Sequence, residues 1–255
     1  FDWCILRLGI AGTIKGFDID TNHFRGNAPE FVSVEAAYTE AEVDENTVWT
    51  ELLAKSPSLA HSQNLFDCNI PGVWTHVRLK MYPDGGIARF RVYGEGQIRR
   101  DRFVDGELID LASVINGGRG IAASDMFYSS PSNLVMPERG VNMGDGWETK
   151  RRRDDANDWA IIKLGLCGNI RKVLLDTAHF KGNYPDRFTL EACTTDRQDV
   201  STADIEWQTI IAEQALFSDR EHLFIKEIES KPEEQFTHVR LNIFPDGGVS
   251  RLRIF

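Results

Sequence analysis

Hydrophobic and polar positions along the chain alternate in short runs rather than at helical spacing. Ile161-Ile162-Lys163-Leu164, Val173-Leu174-Leu175, Phe188-Thr189-Leu190-Glu191 and Trp207-Gln208-Thr209-Ile210 are rich in β-branched or aromatic residues. Gly, Pro, Asn and Asp punctuate them, so they predict strands. His238 to Ile243 alternates apolar and polar residues, as a half-buried strand should. Pro245-Asp246-Gly247-Gly248 has tight-turn chemistry, and Val249 to Ile254 alternates again with its arginines on one face. Together these two strands and their turn predict a β-hairpin. Helix is scarce; Glu107 to Ile115 predicts one short helix. Many short strands at regular spacing predict an all-β sandwich or barrel.

The pattern also repeats. Residues 2–37 align without gaps on 158–193 with 16 identities in 36 positions, and 75–91 align on 237–253 with 11 in 17. Each copy is far longer than a solenoid unit, so the chain is a duplicated domain. We read residues 1–95 as the first repeat, 96–107 as a linker and 108–255 as the second repeat. The second repeat opens with a segment whose counterpart should precede Phe1. We therefore expect the first repeat to lack its opening strands in this sequence.

Composition narrows the function. A formal net charge of -10 repels a phosphate backbone on average, so neither nucleic acid nor an anionic membrane is expected as a partner. The one dense basic run, Lys150 to Arg153, is followed at once by Asp154 and Asp155. No apolar stretch approaches the ~18 residues of a membrane span, and no secretory leader is read at Phe1. Cys4, Cys167 and Cys193 face alanines in the other repeat, which argues against a duplicated metal or disulfide framework. All four cysteines, Cys68 included, are expected to be small buried hydrophobes.

Asp145-Gly146-Trp147-Glu148-Thr149-Lys150-Arg151 is followed by Asp158-Trp159, and Asp-Thr-x-His-Phe-x-Gly-Asn occurs at 20–27 and at 176–183. Pro-Asp-Gly-Gly followed by Arg-x-Arg also occurs in both repeats. This ordered set, spread over essentially the whole chain, resembles the allantoicase family. The resemblance implies two tandem jelly-roll β-sandwiches similar to the galactose-binding, discoidin-type fold. It also implies a hydrolase that converts allantoate to ureidoglycolate and urea in purine breakdown, assembled as a homo-oligomer. No cofactor is expected; a divalent metal stays open, since Asp20 with His23 and Asp176 with His179 could supply O and N ligands, although each pair offers only two and no cluster completes a set. A cytoplasmic home is the default and the peroxisome the alternative. A carbohydrate- or small-ligand-binding sandwich without catalysis is the competing reading.

Cleaving a C–N bond of allantoate needs a cation for its carboxylate, polar partners for its planar ureido groups and a proton donor for the departing nitrogen. His179 and His23 are the candidate proton carriers, with Asp176 and Asp20 orienting them; the bland alternative is a braced turn. Glu148 is a candidate acid or base. Asn183 and Asn27 are candidates for the ureido groups, or make the turn. Lys150, Arg151, Arg251 and Arg89 are candidates for the carboxylate, because guanidinium binds it in two-pronged fashion. Strand alternation would put Glu148, Lys150 and Arg152 on one face and Thr149, Arg151 and Arg153 on the other. Trp147 and Trp159 are expected in the core. His76 and His238 are expected to be structural, and His61 and His222 are discounted because they do not align with each other.

Overall fold

Each alternating run named above forms or enters a strand in the computed structural model, which describes residues 1–98, 103–197, 199–201 and 204–255. The chain divides into two units, Phe1–Ile98 and Arg99–Phe255. Residues 99–102, inside the segment read as a linker, lie outside the described residues.

The first unit contains β1 (Asp2–Asp20), β2 (Phe31–Ala37), β3 (Thr50–Pro57), β4 (Gln63–Asp67), β5 (Trp74–Tyr82) and β6 (Arg89–Gly96). The first half of β1 pairs with β5, while its second half pairs with β4 on one edge and β6 on the other. A register shift between Arg7 and Gly12 separates the halves. One long strand thus serves both layers. Phe17 and Ile19 from its second half are buried with Val32, Val34, Val77 and Leu79.

The second unit contains β7 (Arg119–Ala123), β8 (Trp147–Glu148), β9 (Asp158–Gly168), β10 (Val173–Asp176), β11 (Arg187–Cys193) and β12 (Gln208–Ala215). It continues with β13 (Glu221–Phe224), β14 (Phe236–Phe244), β15 (Gly248–Val249) and β16 (Arg251–Ile254). One sheet runs β12-β11-β14-β9-β7, a second β13-β10-β16, and β15 pairs with β8. Ile162, Leu190 and Leu241 of the first sheet share a core with Val173, Leu175 and Leu252 of the second, and Trp147 is fully buried among them. The protein is therefore all-β, built as two β-sandwich repeats.

Five expectations are corrected. The Pro-Asp-Gly-Gly turn does not close a hairpin: β14 pairs with β9 and β11, whereas β16 pairs with β10. Both flanking strands have one apolar face, and a sandwich has two inner faces, so the turn hands the chain from one layer to the other. The turn is tied elsewhere: Gly247 N donates to Thr149 Oγ1 at 3.1 Å, Gly248 N to Asn183 O at 2.8 Å and Arg152 N to Asp246 Oδ2 at 2.7 Å. Glu107 to Ile115 is not helical; only Val114–Asn116 makes a single 3-10 turn. Its backbone bonds run to strands instead, with Leu111 N donating to Ile254 O and Gly165 N to Leu111 O. The strand beginning at Trp147 ends at Glu148, so the alternation drawn through Arg153 does not exist. Finally, Cys68 and Cys193 are buried but Cys4 and Cys167 are exposed, all four free, and Trp147 is core whereas Trp159 is half-buried.

Candidate functional site

The Asp-Thr-x-His-Phe-x-Gly-Asn unit sits at the end of β10 and folds as a brace. Asp176 Oδ1 accepts from Ala178 N at 2.9 Å, an Asx turn. Thr177 Oγ1 donates to Phe217 O at 2.6 Å and accepts from Arg220 N at 3.2 Å. Phe180 is fully buried and lies flat against Gly248, where a Cβ would meet the ring at 1.9 Å. The first repeat does the same: Asp20 accepts from Asn22 N, Thr21 donates to Leu59 O, and Phe24 covers Gly86. Most of the duplicated unit is thus accounted for by folding alone.

The histidine is not. His179 has φ 72° and His23 φ 74°, a left-handed conformation costing a non-glycine residue on the order of 1–3 kcal/mol. Both repeats hold a histidine there, where Gly or Asn would be easier. His179 Nε2 donates to Gly140 O at 2.7 Å, and its backbone N–H donates to Asp219 Oδ1 at 2.7 Å. That amide bond leads the causes holding the Asp219 carboxyl below its ordinary range. With Nε2 donating, Nδ1 is left over, and among the described residues nothing binds it.

The segment from Pro137 to Glu148 lies along this turn and meets it three times. Arg139 grips the buried Asp176 carboxylate in two-pronged fashion, Nε to Oδ2 at 2.9 Å and Nη2 to Oδ1 at 3.1 Å. Gly140 receives His179, and Glu148 Oε1 accepts from Asn183 Nδ2 at 2.6 Å. Four residues expected from sequence, Asp176, His179, Asn183 and Glu148, therefore fall on one seam. Asp176 does not orient His179, however; it holds Arg139. Arg251, 5% exposed, is committed to carbonyls: Nε to Glu138 O, and Nη1 to Asp145 O and Ser250 O. It fixes the segment.

A cavity of about 400 Å³ opens at the seam, with Asp110, Glu138, Arg139, Asp176, Glu221 and Arg253 among its lining. Arg253 Nη2 donates to Glu138 O at 2.7 Å, while among the described residues its Nη1 is buried without a partner, as is Ser250 Oγ. Burial holds the Arg253 guanidinium below its ordinary pKa, with the carboxylates of Asp110 and Asp176 opposing. Arg139 is raised, first by its bond to Asp176. Arg139 was invisible to repeat alignment because its segment has no counterpart within this sequence; Arg253 was visible only as half of an Arg-x-Arg pair.

The remaining candidates belong to the first unit or line a different cavity of the second. In the first unit Arg91 Nη1 pairs with Asp18 Oδ2 at 2.8 Å and stands 3.8 Å from Asp20 Oδ2. Arg89 donates to the adjacent Ala88 O, and His23 and Asn27 are exposed. His61, discounted on alignment, accepts from His23 N at 2.9 Å, the task that Asp219 performs in the second unit. Lys150 and Arg151 line a different cavity with Asp125, Arg152 and Asp158. Among the described residues no group of three or more His, Cys, Asp or Glu is placed to hold a metal ion. None of the described helices is long and apolar enough to cross a membrane.

A duplicated β-sandwich carrying a histidine-bearing polar seam beside a cavity is the class of protein that emerges. The allantoicase repeat model matches residues 1–97 and 109–255. The probable allantoicase of Photobacterium profundum is 46% identical over 260 residues, spanning 100% of this chain and 78% of that one. The probable allantoicase of Pseudomonas syringae pv. syringae is 47% identical, spanning 100% and 77%. The crystal structure of allantoicase from Saccharomyces cerevisiae matches with a TM-score of 0.83 at 40% identity, covering 99% of this chain and 76% of that one. Another allantoicase structure matches at 0.84 and 39%, covering 99% and 76%. The chain belongs to the allantoicase family.

Proposed function

We propose that this protein hydrolyses allantoate to ureidoglycolate and urea, and that the second repeat's seam carries the chemistry. Family membership supports the reaction. The observation that supports the site is the left-handed His179, its Nε2 spent on Gly140 O and its Nδ1 unspent, beside a cavity that Arg139 and Arg253 line. Nδ1 takes a proton from water as the water oxygen attacks the central carbon of allantoate. The C–N bond to one ureido group breaks, and the same proton passes from Nδ1 to the departing nitrogen, releasing urea. Arg139 and the unpartnered Nη1 of Arg253 meet the substrate carboxylate, while Glu221 and Glu148 accept from ureido N–H groups. The family resemblance supports a homo-oligomer working in the cytoplasm.

Incubating the purified protein with allantoate and following urea and ureidoglycolate tests the reading. Both products should form, His179→Ala should lower kcat by about 10²–10⁴-fold, and His23→Ala should lower it far less. No urea above background removes the catalytic reading and leaves a ligand-binding sandwich. Loss in His23→Ala alone moves the site to the first repeat.

A further inference from the structure

The basic run from Lys150 to Arg153 is not spent on the seam. It rims a separate cavity of about 460 Å³, floored by Ser124, Asp125 and Asp158. Two of its cations are used internally. Lys150 Nζ lies 3.2 Å from Asp125 Oδ2. Arg152 bridges Asp154 (Nε to Oδ1, 2.9 Å) and Asp158 (Nη1 to Oδ1, 2.6 Å). The other two are idle: Arg151 and Arg153 are exposed and, among the described residues, make no hydrogen bond or ion pair. With Lys150 and Arg152 paired to carboxylates, the two uncommitted guanidiniums are those of Arg151 and Arg153, which suit an anion.

A second observation comes from the cavity floor. Asp158 is 0% exposed. Its Oδ1 accepts from both Arg152 and Ser124 Oγ, the latter at 2.8 Å, yet among the described residues its Oδ2 is buried with no partner. A buried carboxylate oxygen left without a donor is costly, and native proteins rarely tolerate one without a ligand or ordered water. Two features of the cavity are therefore uncommitted among the described residues: the guanidiniums of Arg151 and Arg153, and Asp158 Oδ2. A carboxylic acid bearing a urea group suits both in one small molecule.

We propose that this cavity binds a ureido acid monoanion at a site distinct from the catalytic seam. Arg151 and Arg153 take the carboxylate and Asp158 Oδ2 accepts from the urea N–H. Substrate and product of the proposed reaction both belong to this class; only the biological identity of the ligand rests on that reading, since the cavity's selectivity is set by its own groups.

N-Carbamoylglycine, a ureido acid with no second ureido group to lose, is the probe, titrated calorimetrically into the purified protein. The exposed pair should tolerate the Arg151→Ala/Arg153→Ala double variant without loss of fold, and that variant should weaken binding at least tenfold. Asp158→Asn, if folded, should abolish the preference for N-carbamoylglycine over acetate. His179→Ala should bind the probe as the wild type does. The proposal is overturned if the wild type does not bind the probe, if acetate binds equally well, if the double variant binds unchanged, or if His179→Ala loses binding. Failure of allantoate turnover with probe binding intact would count against the seam and not against this cavity.

Discussion

Acid should destabilise this protein through a histidine buried in its second unit. His238 is 2% exposed on β14, opposite Lys163 of β9, with its Nδ1 2.8 Å from the Thr237 hydroxyl. Burial, and then the Lys163 charge, push its pKa from 6.5 down to about 4. In the unfolded chain the ring titrates near its ordinary value of about 6.5. Between those two values the unfolded chain holds a proton that the folded chain refuses, so stability rises with pH across that window. The contribution is fully present above about pH 6.5 and is lost as the pH falls towards about 4, below which both states are protonated. At about 1.4 kcal/mol per pH unit the whole window is worth about 3 kcal/mol. Its counterpart His76 is lowered by burial and by Arg7, in the same direction. Urea unfolding of the wild type and His238→Asn, measured from about pH 7.5 to 4.5, isolates the effect as a difference in slope, because other titrating groups are common to both. The wild type should lose about 2–3 kcal/mol more than the variant over that range. Identical slopes, or a His238 ring seen by NMR to titrate near 6.5, would refute the reasoning.

Three further substitutions probe the fold and the seam. Trp147→Ala empties a fully buried indole that also donates to Asp125 O at 2.9 Å; calorimetry should show a loss of about 3–5 kcal/mol. Gly248→Ala drives a Cβ to 1.9 Å from the Phe180 ring, whereas at Gly182 nothing lies within 4 Å; thermal melts should show severe loss for the first and near neutrality for the second. Arg139→Ala leaves the carboxylate of Asp176, 1% exposed, with the Ala178 amide and without its guanidinium. Because Arg139 is itself 58% exposed, its removal lets water reach the carboxylate and the cost should be about 1–3 kcal/mol; Arg139→Lys, which cannot bind two-pronged, should restore only part of the stability and of kcat/KM.

How much of this was legible in the residues follows from what alternation can encode. Strand identity was readable because β-branched and aromatic residues at period two leave little choice. Pairing was not: the runs either side of Pro245 look like hairpin partners, and only the competition between two inner faces sends them to different sheets. The Glu107–Ile115 misreading has a similar source. Its apolar residues are spaced well enough for a helix, but Leu111 is held between β9 and β16, whose backbone groups claim the hydrogen bonds a helix would need. For the site, duplication pointed to Asp176, His179 and Asn183, and the Trp-Glu-Thr segment pointed to Glu148. It could not find Arg139, which has no second copy to mark it, nor separate Lys150 and Arg151 from the seam.

Repetition alone does not separate the histidines; the hydrogen-bonding capacity each has left over does. His76 and His238 are repeated, yet each is buried against the threonine before it. His222 is unrepeated, and its counterpart is Asn64. In the first unit Leu59 N donates to Asn64 Oδ1 at 2.8 Å, and Asn64 Nδ2 donates to Ile19 O at 3.0 Å. In the second, Phe217 N donates to His222 Nε2 at 2.9 Å, and His222 Nδ1 donates to Leu175 O at 3.2 Å. An amide and a neutral imidazole are interchangeable here because each presents one acceptor and one donor. Burial keeps His222 neutral by lowering its pKa. Both its nitrogens are consumed, and it has nothing left to offer a substrate. His222→Asn should therefore keep both stability and urea production, while His222→Ala, which strands the Phe217 amide and the Leu175 carbonyl, should lose about 1–3 kcal/mol. A His222→Asn protein that unfolds normally but makes no urea would show that ring nitrogens can be spent on the fold and still serve the reaction, and the case for His179 would lose its criterion.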